Sequence, residues 1–162
     1  MLNAQDWDIE HIDSFHTNAL KKDDLKKEWI TTAFEDRKNY LSEKTTIESK
    51  MENKDYDSVI DLLKKNAGET EVDEDIKNGI GNLTLLDSET NRSYGNSLFC
   101  TKRRIIIDRI KQGVFVPVAT QYIFSKFYDE KGTNRSVWAK EDMEAYQKYI
   151  VKMLSEYLPE NN

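Results

Sequence analysis

The sequence predicts an α+β domain made mostly of helices. Residues 7–12 alternate apolar and polar side chains, and residues 83–86 form a short apolar run between glycine and polar turn residues; each run indicates a strand. Apolar residues at helical spacing occupy much of the remaining chain. A length of 162 residues suits one hydrophobic core, so we expect a single domain over residues 1–162.

A long and mostly helical segment separates the two predicted strands. Apolar residues recur every four positions over 25–33, which predicts a helix with one apolar stripe. A second helical pattern over 56–63 runs toward Gly68, a residue type that favours helix C-caps. Between these patterns, residues 42–55 are charged and weakly periodic, so they predict a loop or a solvated helix. Residues 69–79 are acidic and are expected to be exposed.

The chain after the second strand is predicted to be helical and begins with a basic segment. Residues 92–113 carry six lysines and arginines against one acid, and their apolar spacing predicts a helix that ends at Gly113. Residues 114–118 indicate a short extended piece. Further helices are predicted over 120–129 and 140–157.

Composition limits the class of protein. Charged residues make up 33% of the chain, and no apolar run approaches the roughly 18 residues that a membrane span needs. One cysteine, Cys100, excludes an internal disulfide and a CxxC zinc site, and the acidic start lacks the apolar core of a signal peptide. We therefore expect a cytoplasmic protein without structural zinc. A net charge of −6 argues against non-specific coating of nucleic acid and leaves room for a local basic patch.

The first candidate functional residues are Glu10 and His11 in the predicted first strand. Regular alternation points their side chains to opposite faces, so they serve one site only if the strand ends or bends there. Polar residues from Asp13 onward indicate that it does. A lone histidine is more often structural than catalytic, and His16 is a second candidate for any role given to His11. Asp13 is likewise a second candidate for a role of Glu10.

The second group of candidates surrounds the second strand. Gly79 and Gly81 permit a tight backbone path into Asn82, and Asn91 follows nine residues later, after a polar turn. Each asparagine also has an ordinary structural explanation, because asparagine favours turns and helix N-caps.

Together these residues resemble the C-terminal HNH nuclease domain of GmrSD-type modification-dependent restriction proteins. The resemblance covers most of the chain and is weakest over 19–79. Many members have a proline soon after the histidine, where this chain has Asp13 and Ser14. The matching segments are EHI at 10–12, GNLTLL at 81–86, NRSY at 91–94, a downstream Lys-Arg at 102–103, FVP at 115–117, and Trp138, Asp142, Tyr146 and Ile150.

The resemblance implies a ββα-metal (His-Me finger) core of the HNH type. The core would comprise residues 5–14 and 80–104, with a helical insertion over 19–79 and C-terminal helices over 105–158. A long insertion is tolerable because the entropy cost of closing a loop grows only logarithmically with its length. The family's N-terminal nucleotide-binding domain, with its DGQQR-like motif, does not occur in this sequence. Such a domain or subunit is therefore an expected partner.

The same resemblance assigns roles to individual residues. His11 would be the general base, because an imidazole is largely neutral at pH 7. Glu10 and the amide oxygen of Asn91 would hold a divalent metal, Mg²⁺ first and Mn²⁺ as the alternative. Asn82 would pin the loop and orient His11.

The basic segment supplies the expected contacts to DNA. Arg92, Lys102 and Arg103 would bind phosphates, although such charge runs are usually solvated helix faces. The predicted function is metal-dependent DNA cleavage in restriction or phage defence. Two alternatives are an inactive DNA-binding relative of the nuclease and a helical interaction module that uses the acidic residues 69–75.

Overall fold

The structure is a computed structural model that describes residues 6–13, 20–69, 72–126 and 136–157. The described chain forms two strands and eight α-helices, with short 3₁₀ turns before β2 and after α8. None of these helices is both long and apolar enough to cross a bilayer. In chain order the elements are β1 (Trp7–His11), α1 (Asp23–Arg37), α2 (Lys44–Glu52), α3 (Tyr56–Ala67), α4 (Glu74–Lys77), β2 (Leu83–Asp87), α5 (Ser88–Tyr94), α6 (Phe99–Lys111), α7 (Val118–Ser125) and α8 (Lys140–Met153).

The two strands form an antiparallel sheet although a long stretch of chain separates them. His11 at the end of β1 lies opposite Leu83 at the start of β2, and Trp7 lies opposite Asp87. The predicted class, a mostly helical α+β domain, is confirmed. The sheet joins the two chain regions that contain the candidate functional residues.

The helices before β2 pack around their own apolar core. Side chains of α1, α2 and α3 fill this core, together with Leu98 before α6. A second core is built from Ile12, which follows β1, and from β2, α6, α7 and α8, with Phe99, Ile106 and Met143 among its buried members. Because α6 and the residue before it contribute to both cores, this helix ties the helical insertion to the sheet.

Several predicted elements have different limits in the structure. Residues 42–55 contain helix α2, which buries Ile47 against the first core and is therefore more than a solvated segment. Residues 114–117 do not join the sheet, and the next helix begins at Val118, before the predicted start. The last α-helix ends at Met153 and continues only as a 3₁₀ turn.

Gly81 allows the turn before β2 to touch helix α8. A Cβ atom at this position would collide with the carbonyl oxygen of Met143 and would press on the side chain of Gln147. Glycine is needed here because the backbone of α8 comes so close, and not because of its own backbone angles, which are outside the left-handed region. This approach fixes the 3₁₀ turn Ile80–Asn82, and with it the neighbouring Asn82.

Candidate active site

Asn82 fixes the chain where β1 ends. Its side chain is fully buried; Oδ1 accepts from the Asp13 N–H at 2.8 Å, while Nδ2 donates to the carbonyls of Asp13 and Lys77 at 2.9 and 2.8 Å. Its own carbonyl accepts from the Ile12 N–H at 2.8 Å. Three of these hydrogen bonds join the segment after His11 to the segment before β2, and the fourth holds Asn82 to Lys77 within the latter segment. The expected role of Asn82 in pinning this loop stays a prediction, and these are the contacts through which it would act.

The His11 ring contacts the side chain of Asn78, a residue that no sequence pattern selected. Nε2 of His11 lies 3.1 Å from Oδ1 of Asn78, just beyond the end of α4. Asn82 holds the backbone that follows His11, through the Ile12 N–H and the N–H and carbonyl of Asp13. His16, the alternative histidine, lies outside the described residues.

A second group of side chains meets where β1 faces helix α5. Asn91 Nδ2 donates to Glu10 Oε1 at 2.6 Å and to Asp8 Oδ2 at 3.0 Å. Asp87 caps α5 by accepting from the Thr90 N–H at 2.9 Å, so the helix begins at the end of β2 and carries Asn91 over β1. Glu10 and Asn91, both expected at a metal site, are thus brought together.

This second group differs from the expectation in two respects. Asp8 is an additional carboxylate, and strand alternation could have found it because residues 8 and 10 share a face. The nitrogen of the Asn91 amide, rather than the oxygen expected as a ligand, is directed at the carboxylates. Ionised carboxylates only accept hydrogen bonds, so they select the N–H side of the amide.

Lys102 does not lie on a DNA-facing surface, so its predicted phosphate contact is wrong. Its side chain is fully buried, and Nζ donates to the carbonyls of His11 and Ile12, each at 3.1 Å. The helical register explains the burial, since Lys102 lies three residues after Phe99 and four before Ile106, on the buried stripe of α6. Lys102 therefore supports the end of β1 from beneath.

Two further ionisable groups share the interior with Lys102. Burial lowers the pKa of Lys102 to about 7, partly opposed by the charges of Asp13, Glu69 and Glu10. Burial also raises the pKa of Glu69 to about 7, and the charge of Asp13 adds to the increase. Asp13, the alternative metal ligand, is itself buried, and its charge acts on this pair.

The buried amine predicts a pH dependence of stability. An unfolded lysine has a pKa of about 10.4, so between about pH 7 and 10 the unfolded chain binds a proton that the folded protein lacks. The free energy of unfolding of the wild type should rise with pH there, by up to about 1.4 kcal/mol per unit. Lys102→Met lacks this contribution.

Urea unfolding of both proteins at about pH 7.5 and 9.5 measures the effect. We expect the stability difference, wild type minus Lys102→Met, to increase at the higher pH. Parallel pH dependences for the two proteins would contradict a lowered pKa for Lys102.

The remaining arginines at the start of the basic segment differ in their surroundings; Arg92 and Arg103 among them were expected to contact DNA. Arg103 is partly buried, and its Nε donates to the Phe124 carbonyl at 2.8 Å. The side chain of Arg92 lies outside what the structure describes, although its backbone belongs to α5. Arg104 is bound to Asp36 of α1 at 2.6 Å and helps to join the insertion to α6. Lys102, Arg103 and Arg104 of the basic segment are thus each bound to a group of the protein itself.

Comparison with known proteins decides the family. The model of the C-terminal domain of GmrSD restriction endonucleases matches residues 2–153. The chain belongs to this family. No curated protein and no solved structure matches it.

Membership confirms the resemblance read from the motifs. The GmrSD C-terminal domain is associated with restriction endonucleases, so a nuclease activity of restriction systems is the function that the family suggests. The match spans β1, the helical insertion, β2 and the later helices, and so includes both groups of site residues.

Proposed function

We propose that this GmrSD C-terminal domain is a metal-dependent DNA endonuclease in which β1, β2 and α5 form a ββα-metal core of the HNH type. The observation that carries the proposal is the contact of Asn91 with Glu10 at 2.6 Å across the sheet–helix junction. Glu10 is the chain neighbour of His11, whose ring lies at the end of β1. Since β1 ends at His11, the condition for the two neighbours to serve one site is met, and the base and the oxygen-rich cluster come from consecutive residues.

The donor set fits a hard divalent cation. Asp8, Glu10 and Asn91 offer carboxylate and amide oxygens, and Mg²⁺ in particular is often held by one or two carboxylates together with water and substrate phosphate. The described residues contain no group of three or more histidine, cysteine or carboxylate side chains suited to a metal. The Asn91 oxygen would join the ligands if the amide turned over, and the near-identical shapes of its two ends permit this.

Electrostatics also favours a cation beside these carboxylates. The Asp8 and Glu10 oxygens lie within 3.0 Å of one nitrogen. Charges about 5 Å apart repel by roughly 1–3 kcal/mol when both are ionised, depending on the local dielectric. The amide N–H offsets part of this repulsion. A bound divalent ion would stabilise the charge on the phosphate and on the leaving oxygen.

In the proposed reaction His11 removes a proton from water. The water oxygen forms a bond to phosphorus while the bond from phosphorus to the leaving sugar oxygen breaks, and that oxygen takes a proton from solvent. Asn82 and Lys102 hold the backbone around His11 and do not touch the reacting atoms. Arg103 and Arg92 remain the proposed phosphate contacts, with Lys102 removed from that set.

A plasmid-cleavage assay tests the function. The full chain is incubated with supercoiled DNA and Mg²⁺ or Mn²⁺, with and without EDTA, beside the Glu10→Gln variant. Glu89→Gln is the matched control, because Glu89 lies on α5 near Asn91 but forms an exposed ion pair with Arg109. We expect cleavage by the wild type and the control, and its loss with EDTA or in Glu10→Gln. Calorimetric titration with Mn²⁺ measures metal binding directly.

Other outcomes identify the alternative functions. DNA binding without cleavage, together with no metal binding, would indicate an inactive DNA-binding relative of the nuclease. A protein that does not bind DNA at low salt, and whose behaviour does not change when the charge of Arg103 is reversed, would be an interaction module. Cleavage by Glu10→Gln at the wild-type rate would overturn the assigned metal site.

A further inference from the structure

We propose that Asn78 is a positioning residue for His11, and that Glu74 sets the orientation of Asn78. Together they place the hydrogen of the neutral imidazole on Nε2 and the lone pair on Nδ1. The inference deepens the proposed function and rests on it in one respect: the lone pair matters for cleavage only if His11 is the base. The tautomer itself is a property of the fold.

The direction of the Asn78 amide is set by its contact with Glu74. Asn78 Nδ2 lies 3.3 Å from Glu74 Oε2. An amide nitrogen only donates and a carboxylate only accepts, so this contact assigns the nitrogen to the Glu74 side. The amide oxygen is therefore the atom that faces His11, at 3.1 Å from Nε2.

The direction of the amide then decides the direction of the second hydrogen bond. An amide oxygen only accepts, so Nε2 of His11 must donate and must carry the hydrogen. A neutral imidazole has one N–H, and the hydrogen bond made by one nitrogen fixes the state of the other. Nδ1 thus holds the lone pair, which is the state that a general base requires.

The backbone around Asn78 and His11 is fixed by groups already described. Asn78 ends the single turn of α4 and donates its N–H to the Glu74 carbonyl at 2.9 Å. Lys77, the residue before it, is held by Asn82, and Asn82 also holds Asp13, two residues after His11. The same buried amide therefore clamps the chain close to both partners and keeps them facing each other.

The expected contribution is modest because Asn78 and Glu74 are exposed. Loss of one such hydrogen bond corresponds to roughly a 3- to 10-fold change in a population. Asn78→Leu should therefore lower kcat roughly 3- to 10-fold, with KM unchanged. Asn78→Asp keeps an acceptor toward Nε2 and should therefore keep most of the wild-type activity.

Nitrogen-15 NMR of the imidazoles tests the inference without cleavage. The chain has two histidines, so spectra of His16→Gln assign the signals of His11. At a pH where the ring is neutral, we expect an N–H at Nε2 and an unprotonated Nδ1 in the wild type. The variant Asn78→Asp should keep this pattern. Asn78→Leu should give a mixture of tautomers and faster exchange of the Nε2 hydrogen, and Glu74→Ala should shift the same way by less.

Asn53→Leu is the matched control. Asn53 is also an exposed asparagine at the end of a helix, and its side chain donates only to the Ser49 carbonyl among the hydrogen bonds of the described chain. It should leave the His11 signals unchanged. A hydrogen on Nδ1 in the wild type, or the same tautomer in Asn78→Leu as in the wild type, would overturn the inference.

The two readouts separate the inference from the proposed function. The expected tautomer in a protein that does not cleave DNA would refute the nuclease assignment and leave the Asn78 contact in place. If the protein cleaves DNA but the His11 tautomer does not depend on Asn78, the nuclease assignment stands and the inference about Asn78 is refuted.

Discussion

His11→Ala should keep its fold and should cleave DNA roughly 10²- to 10⁴-fold more slowly than the wild type, which is the usual contribution of a general base. The fold should survive because His11 is only partly buried and its ring hydrogen bond to Asn78 is exposed. The backbone of the strand end is held by Asn82 and Lys102, neither of which depends on the imidazole. Initial rates of plasmid cleavage, with circular dichroism to check folding, measure the effect.

His16→Ala is the matched control for this experiment. It removes the other histidine of the chain and should leave the rate near that of the wild type. If His16→Ala lost activity while His11→Ala retained it, the base would be assigned to the wrong histidine. A folded His11→Ala protein with the wild-type rate would contradict the mechanism directly.

Asn82→Leu should cause the largest loss of stability among the site variants. The change keeps the approximate volume but removes the side-chain partner of the Asp13 N–H and of the carbonyls of Asp13 and Lys77. Each buried backbone group deprived of a partner costs about 1–3 kcal/mol, so we expect a loss of roughly 2–5 kcal/mol. Activity should fall as well, because the side-chain hydrogen bonds between the segments that carry His11 and Asn78 are lost. Urea unfolding and cleavage rates measure the two effects.

Thr84→Val is the matched control in the same region, with a smaller expected loss of stability. Thr120 donates its hydroxyl to the Leu85 carbonyl, so the buried Thr84 hydroxyl donates to Thr120 at 2.9 Å, and valine removes this single bond. The expected loss is about 1 kcal/mol. An Asn82→Leu protein that is no less stable than Thr84→Val would show that the Asn82 clamp contributes little.

The sequence alone determined the elements and most of the candidate residues. Strand alternation and helical spacing depend on the local geometry of the backbone, so β1, β2 and the main helices could be predicted from runs of a few residues. The motif of Glu10, His11, Asn82 and Asn91 could also be recognised, because its two parts, residues 10–11 and 82–91, are each short and continuous. The family match confirms the resemblance that this motif carried.

The tertiary structure decided which of these residues meet. Asn91 and Glu10 are 81 positions apart, and Asn82 and Asp13 are 69 apart, so only the packing of α5 on the sheet and of the turn before β2 brings them together. No sequence pattern selected Asn78, since its partner His11 lies 67 positions away.

The burial of Lys102 also depended on the tertiary structure. A lysine in a basic run is expected in solvent, but the register of α6 turns it inward to the carbonyls behind His11. Side-chain chemistry and spacing are local properties, whereas burial and partners depend on contacts between distant parts of the chain.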